Sequence, residues 1–349
     1  MIIQPMSVPL LSPLPPFDAR LFPPPAPGAC ALPFLGVIRA EGEDAAAFLQ
    51  GQLTQDVLHQ PVGTARLAAF CTPKGRMTAS FTVLKPGAHE LLLVCSRDLL
   101  PATLKRLSMF VLRAKARLSD ASGHFRVWGL IGEDAIEKVA AMPQPMGAEA
   151  QKDSQAPTAA PLPAPLAAPL IAPLPPAAGQ PRALWLAPAD TGTDRAAPAL
   201  PSLPALAEAD WLRAEVQAGV ARLTAPVADA FVPQMLNYES AGGVHFKKGC
   251  YPGQEVVARS QFRGAIKRRA FVACASGPAA AGQDVFMAGD EQPVGLIAQA
   301  APAPGSEATW VIAALPLAAV DGGAPLHAGQ PGGPLLHGLH IPYALAEDI

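Results

Sequence analysis

The chemistry-bearing residues of this 349-residue chain gather in one segment, His245-Phe246-Lys247-Lys248-Gly249-Cys250-Tyr251-Pro252-Gly253-Gln254-Glu255. Arg259, Arg263, Lys267, Arg268 and Arg269 follow, so the stretch from Lys247 to Arg269 holds seven of the 26 basic residues in a chain otherwise poor in charge. Cys250 stands two residues after a lysine pair and close to two glycines. Cations beside a thiol favour the thiolate, the form that attacks electrophiles and binds metals. Glycines open backbone angles closed to other residues and allow close approach of a ligand. The segment therefore reads as a reactive or ligand-contacting cysteine on a glycine-rich loop. The alternative is an inert cysteine buried in a tight turn beside solvated lysines, and the residue types alone leave both open.

The remaining composition bounds what this segment can serve. With 26 basic and 28 acidic side chains the net charge is −2, too little positive excess to hold duplex DNA by phosphate neutralisation. Half the residues are apolar, enough for sizeable cores, while 41 prolines require stretches without regular structure. The five cysteines (Cys30, Cys71, Cys95, Cys250, Cys274) are widely spaced, with no C-x-x-C pair and no sign of a secreted disulfide framework. Cys71, Cys95 and Cys274 lie in apolar runs, as structural thiols do. Histidine spacing suggests no mononuclear metal site, and a permanently held iron–sulfur cluster would need more cysteines in ligand spacing. No signal peptide is legible, and the expected setting is cytoplasmic, without a membrane.

The pattern predicts an α+β protein. Residues 1–33 read as a proline-rich disordered tail. Residues 34–264 read as an α+β region interrupted by a Pro/Ala-rich linker at 143–182, and residues 265–349 as a small β-barrel domain. The charge-free run from Ala156 to Pro181 has a membrane-like hydropathy, but its prolines predict an extended spacer. Helices are predicted from Ala45 through Leu53, from Asp98 as cap through Val111, and over Asp210–Ala218. Strands are predicted at Leu67–Cys71 and Met77–Leu84 around the turn Pro73-Lys74-Gly75-Arg76, and at Glu90–Cys95, Arg113–Arg117, Phe125–Ile131 and Ala183–Leu186. Short apolar runs at Phe271–Ala275, Val294–Ala298, Trp310–Ala314 and Leu335–Ile341 give the barrel rhythm.

The run Lys248-Gly249-Cys250-Tyr251-Pro252-Gly253-Gln254-Glu255, with Arg259 and Arg263-Gly264 downstream, resembles the signature of the YgfZ family, relatives of the glycine-cleavage aminomethyltransferases. Leu49-Gln50-Gly51-Gln52-Leu53-Thr54-Gln55-Asp56-Val57, Pro73-Lys74-Gly75-Arg76-Met77 and Phe231-Val232-Pro233-Gln234 fit the same family in the same order. The resemblance spans roughly residues 34–142 and 183–349. It implies an aminomethyltransferase-like folate-binding fold whose α+β subdomains surround a central pocket, closed on one side by a C-terminal β-barrel. It implies tetrahydrofolate or a related folate as cofactor, and iron–sulfur enzymes or cluster-assembly proteins, including tRNA-thiolating ones, as partners. The family's motif cysteine and lysine fall on Cys250 and Lys248.

A folate needs an apolar slot, a few fixed polar groups and cations for its glutamate tail. Arg259 and Arg263, four apart, would share a face if the segment after Glu255 were helical, and they are the tail candidates. Gln217 aligns with a pterin-contacting acidic position of the transferases, and Gln254, Gln52, Asp56 and Lys74 complete the expected contacts. Glu255 is expected to pair with Lys248 or an arginine. A true aminomethyltransferase is the competing reading, but its carboxylate is missing from Lys74-Gly75-Arg76-Met77-Thr78-Ala79-Ser80, a loss that costs ~10²–10⁴ in rate where an acid–base group is needed. A turnover enzyme in the ordinary sense is not expected, and a non-catalytic binding module is the third reading.

Overall fold

The computed structural model describes residues 19–142, 170–189, 202–262 and 266–346. Three sheets organise it. The chain begins with a 3₁₀ turn at Ala19–Leu21, then β1 (Gly28–Ala31), β2 (Leu35–Glu41), α1 (Ala45–Gln50), β3 (Ala65–Cys71), β4 (Met77–Gly87), β5 (Glu90–Ser96), α2 (Leu100–Ser108), β6 (Arg117–Asp120), β7 (Phe125–Ile131) and α3 (Glu133–Ala140). It continues with β8 (Leu170–Ala177), β9 (Gln180–Pro188), α4 (Glu208–Gln217) and α5 (Gln254–Phe262). The last unit comprises β10 (Arg268–Ala275), β11 (Asp284–Met287), β12 (Pro293–Pro302), β13 (Thr309–Pro316), α6 (Leu317–Asp321), β14 (Leu326–Ala328) and β15 (Leu336–His340).

Strands β3-β4-β5-β2-β6 form an antiparallel sheet, with α1 and α2 packed on one face over Ile38, Leu49, Phe70, Phe81, Leu93 and Leu107. The other face is apolar too: Val37, Leu92 and Val94 of this sheet share a core with Leu184 and Leu186 of the sheet β1-β7-β9-β8 and with Trp211 of α4. Burial on both faces explains the near-continuous apolar run of β5. The third sheet, β14-β11-β12-β13-β10-β15, curls into a half-barrel around Phe271, Ile297, Val311 and Leu315. Among the described residues no helix is long and apolar enough to cross a membrane.

Several expected boundaries are corrected. The tail read as disordered is ordered from residue 19: Phe22 is buried against Trp310, and β1 pairs with β7. The segment 143–182 is not linker to its end, because β8 and the start of β9 form a hairpin there; residues 143–169 lie outside the described residues. Pro173, Pro175 and Pro176 are tolerated because β8 is an edge strand, where a missing N–H need not face a partner. Ala178 and Gly179, at φ 46° and 79°, make the turn. Helix α1 stops at Gln50, short of Leu53, and α2 at Ser108, short of Val111. Asp98 does not cap α2: its carboxylate accepts the Ala225 N–H at 2.8 Å. Strand β6 starts only at Arg117, leaving Arg113 and Lys115 in a loop.

Candidate functional site

The four motif segments, scattered between residues 49 and 255, meet around Cys250. Lys248 is buried, and its ammonium donates to the carbonyl oxygens of Gln50, Leu53 (2.5 Å) and Gln55 (3.3 Å), at and just beyond the end of α1. All three of its N–H bonds thus fasten the Cys250 loop to the first motif segment. The same cation sits 5.0 Å from the centre of the buried Tyr251 ring. Burial draws the Lys248 ammonium down to about 8, against the upward pull of Asp56.

The hairpin tip between β3 and β4 braces the loop from another side. Gly253 (φ 80°) and Gly75 (φ 71°) face each other so closely that a Cβ on Gly253 would stand 2.4 Å from the Thr72 oxygen and 2.7 Å from the Gly75 Cα. Only glycine meets both the left-handed conformation and the contact. Met77 N–H donates to the Phe231 carbonyl at 2.8 Å, and Gln234 Nε2 donates to the Val257 carbonyl of α5 at 2.7 Å. His245 N–H reaches the Thr54 carbonyl at 2.9 Å, and Thr54 Oγ1 donates to the Gly243 carbonyl at 2.6 Å. The result is a rigidly held loop with Cys250 at its exposed crest, while Cys30, Cys71, Cys95 and Cys274 are all buried.

The other expected site residues fall in three places. Lys74 is exposed at the hairpin tip, and Gln254 begins α5 behind the cysteine. Gln52 has a buried Oε1 without a partner. Asp56 contacts His59 at 3.1 Å; burial would raise its carboxyl, but hydrogen bonds from His59 and Gln50 outweigh that and hold it below the ordinary range. Arg259 does share a helix with Glu255, and the two exposed side chains pair at 2.5 Å. Glu255 thus pairs with an arginine and not with Lys248. Arg263 lies outside the described residues. Gln217 is buried in α4, with Nε2 donating to the Pro23 carbonyl at 2.7 Å and Oε1 unpartnered. Most of the basic run is likewise occupied: Arg268 donates to the Val294 carbonyl, and Arg269 forms a buried ion pair with Glu239.

Among the described residues, a space for a ligand lies among residues without a motif. A cleft of about 1050 Å³ opens between the start of β2, the end of β5, α4 and the half-barrel, with Phe34, Arg97, Leu212, Arg222 and Gln299 in its walls. Arg222 is locked: its guanidinium contacts both Glu215 carboxylate oxygens (3.1–3.4 Å) and Ser96 Oγ (3.0 Å), 4.6 Å over the Phe34 ring. Gln299 donates to Glu215 at 2.8 Å and accepts the Arg222 N–H at 2.8 Å. Arg97, exposed, spends only Nε on the Pro33 carbonyl among the described residues. An aromatic face, apolar Leu212 and alanines, fixed polar groups and a spare cation suit a pterin with a carboxylate tail, and the volume suffices. None of the expected folate contacts lines this cleft. Its walls come from distant segments, and the sequence reading singled out none of these residues.

No protein-family model matches the chain. It is 32% identical over 237 residues to the tRNA-modifying protein YgfZ of Edwardsiella ictaluri, covering 67% of each chain. With the protein of the same name from Cronobacter sakazakii it shares 30% over 257 residues, 71% of this chain and 73% of the relative. The chain belongs to the YgfZ family of tRNA-modifying proteins. An uncharacterized protein of Haemophilus influenzae is 30% identical over 240 residues, 68% of this chain and 69% of that one. Among solved structures, the glycine cleavage system aminomethyltransferase T of Bartonella henselae superposes with a TM-score of 0.54 at 14% identity, covering 94% of this chain and 89% of that one. This YgfZ-family chain therefore has the aminomethyltransferase fold. In its β4, where the transferase carboxylate was sought, Ser80 is buried and accepts the Leu223 N–H at 2.9 Å.

Proposed function

We propose that this protein is a cytoplasmic folate-binding accessory factor for iron–sulfur enzymes, including those that modify tRNA, with Cys250 as its reactive group. The observation that carries the reading is a division of labour. Four motif segments are spent on holding a single exposed thiol, and a separate cleft of about 1050 Å³ has the walls a folate needs. The relatives' name supports the tRNA-modifying role, and the fold that this chain shares with an aminomethyltransferase supports the cofactor.

In this reading Phe34 and Leu212 would hold the pterin, Arg97 would meet a tail carboxylate, and Arg222 lies over the Phe34 ring. When bound, a tetrahydrofolate supplies amine nitrogens able to carry a one-carbon unit. Lys248 positions the loop, since its three N–H bonds are all taken. Cys250 is then free to meet a partner's iron or an electrophilic sulfur at the surface. The aminomethyl-transfer reading loses ground on the sequence, because Lys74-Gly75-Arg76-Met77-Thr78-Ala79-Ser80 carries no carboxylate.

Calorimetry with tetrahydrofolate on three proteins tests this. Wild type and Cys250→Ser are expected to bind alike, and Phe34→Ala at least about tenfold more weakly, the loss of one stacked aromatic wall. Absence of binding to wild type, or an undiminished affinity in Phe34→Ala, would overturn the folate assignment.

A further inference from the structure

Among the described residues, the large apolar side chains left exposed are Leu58, Val62, Met109, Phe110, Leu112 and Phe262, and none lies on the half-barrel or on the sheet β1-β7-β9-β8. Three of them fall within four positions in the loop after α2, where Leu112 is 85% and Met109 68% exposed. Apolar residues scattered singly over a surface are ordinary, but a cluster at one tip marks a surface made to be covered. Each group is tied to the Cys250 loop by a short path. Arg106, in the last turn of α2, lies 5.9 Å from the centre of the Phe70 ring, and Phe70 bridges to Leu53, whose carbonyl accepts the Lys248 ammonium. Leu58 N–H donates to Gln50 Oε1 at 3.1 Å, and the Gln50 carbonyl is another acceptor of Lys248. Phe262 closes α5 with its ring 5.3 Å from that of Phe246, in the segment that leads to Cys250.

The same surface is basic. The stretch from Lys105 to Arg117 holds five basic residues and no acidic one, in a chain whose net charge is −2. Lys115 pairs with Glu43 at 2.8 Å and Arg117 approaches Glu41 at 4.0 Å, while Lys105, Arg106 and Arg113 form no ion pair among the described residues. Beside the thiol, exposed Lys74 and Lys247 likewise pair with no carboxylate among the described residues. Apolar anchors set among uncompensated cations match a protein whose own apolar patch is edged with carboxylates. A second copy of this chain would bring like charges together. An RNA would gain phosphate contacts, but of the six apolar side chains only Phe110 and Phe262 can stack on its bases.

We propose that the loop after α2, with Met109, Phe110 and Leu112 as anchors and Lys105 and Arg113 at its rim, is the docking surface for the partner that Cys250 serves, an iron–sulfur protein presenting an apolar patch edged with carboxylates. The inference rests on the reading of Cys250 given above and adds where, and by what chemistry, that partner is held. A standard interface covers about 800 Å² and roughly 20–30 residues on each side, enough to take in the loop and the thiol together. The rim cations speed encounter and set orientation, and the apolar anchors slow release.

The test places a photoreactive benzoylphenylalanine at position 112 of the full chain, or at position 291 on the half-barrel as a control, in cells lacking their own YgfZ-family protein. The expected adduct at 112 is an iron–sulfur or cluster-assembly protein with an acidic surface, identified by mass. It is expected to be absent at 291 and at least about tenfold weaker in Lys105→Glu/Arg113→Glu. Both of those side chains are exposed, so an unchanged urea midpoint is expected to show that the charge-reversed protein folds. An adduct with RNA, with lipid or with a second copy of the chain, or none at all, overturns the proposal. Thiolated tRNA in the same cells separates this proposal from the reading of the thiol. Lys105→Glu/Arg113→Glu is expected to restore little at low expression and to recover at high expression, as a weakened affinity does, while Cys250→Ser fails at both. Restoration equal to wild type at low expression by the charge-reversed protein overturns the docking surface alone, and restoration by Cys250→Ser overturns the reading on which it rests.

Discussion

At the scale of single residues, exposure separates one cysteine from four. Burial pushes Cys71 and Cys95 up to about 12 and Cys30 to about 11, and Cys274 is raised for the same reason. A thiol reagent at pH 8 is therefore expected to label one thiol per native chain and five in denaturant, with Cys250→Ser removing the native signal. Two rapidly labelled thiols in the native protein would contradict this. Lys248 shows where sequence reading falls short. Its residue type and position beside Cys250 suggested a chemical helper, but its partners are carbonyls nearly 200 positions away, which no local spacing encodes. Lys248→Met strands three acceptors, each worth about 1–3 kcal/mol if left unpaired, so loss of several kcal/mol of stability in urea unfolding is expected.

At the scale of elements, the β3–β4 tip and the Cys250 loop act as one piece. Gly253→Ala forces a side chain into the left-handed region and against the Thr72 oxygen. A cost of about 3 kcal/mol is expected by denaturant unfolding, combining the backbone and overpacking penalties. An unchanged midpoint would show that the loop is not docked on the tip. Strands β3 to β5, β7 and the four apolar runs of the half-barrel were legible because alternation or continuous burial leaves a pattern in sequence. Strand β8 was not, because its prolines mimic a spacer and only its edge position makes them acceptable. The Cys250 loop was legible from residue types. The cleft was not, since Phe34, Arg222 and Gln299 become neighbours only through the packing of three sheets.

At the scale of the whole molecule, buried titratable groups set the alkaline limit. Above about pH 8.5 the unfolded chain loses thiol protons that the folded chain keeps at Cys30, Cys71 and Cys95. The native state then binds more protons than the unfolded one, so stability falls as pH rises toward the folded values, by about 1.4 kcal/mol per unit for each thiol. Lys248 acts in the opposite sense between about 8 and 10.5, because there the unfolded chain holds the extra proton. Three thiols outweigh one lysine, so the urea midpoint under reducing conditions is expected to drop between pH 8 and pH 10. A midpoint that rises over that interval would contradict the burial of these thiols.

The most direct test of the central claim is restoration of iron–sulfur enzyme activity, read as thiolated tRNA, in cells lacking their own YgfZ-family protein. Wild type is expected to restore the modification, and Cys250→Ser to fail while still binding tetrahydrofolate and keeping wild-type stability. Restoration by Cys250→Ser equal to wild type would contradict the assignment of the exposed thiol as the working group.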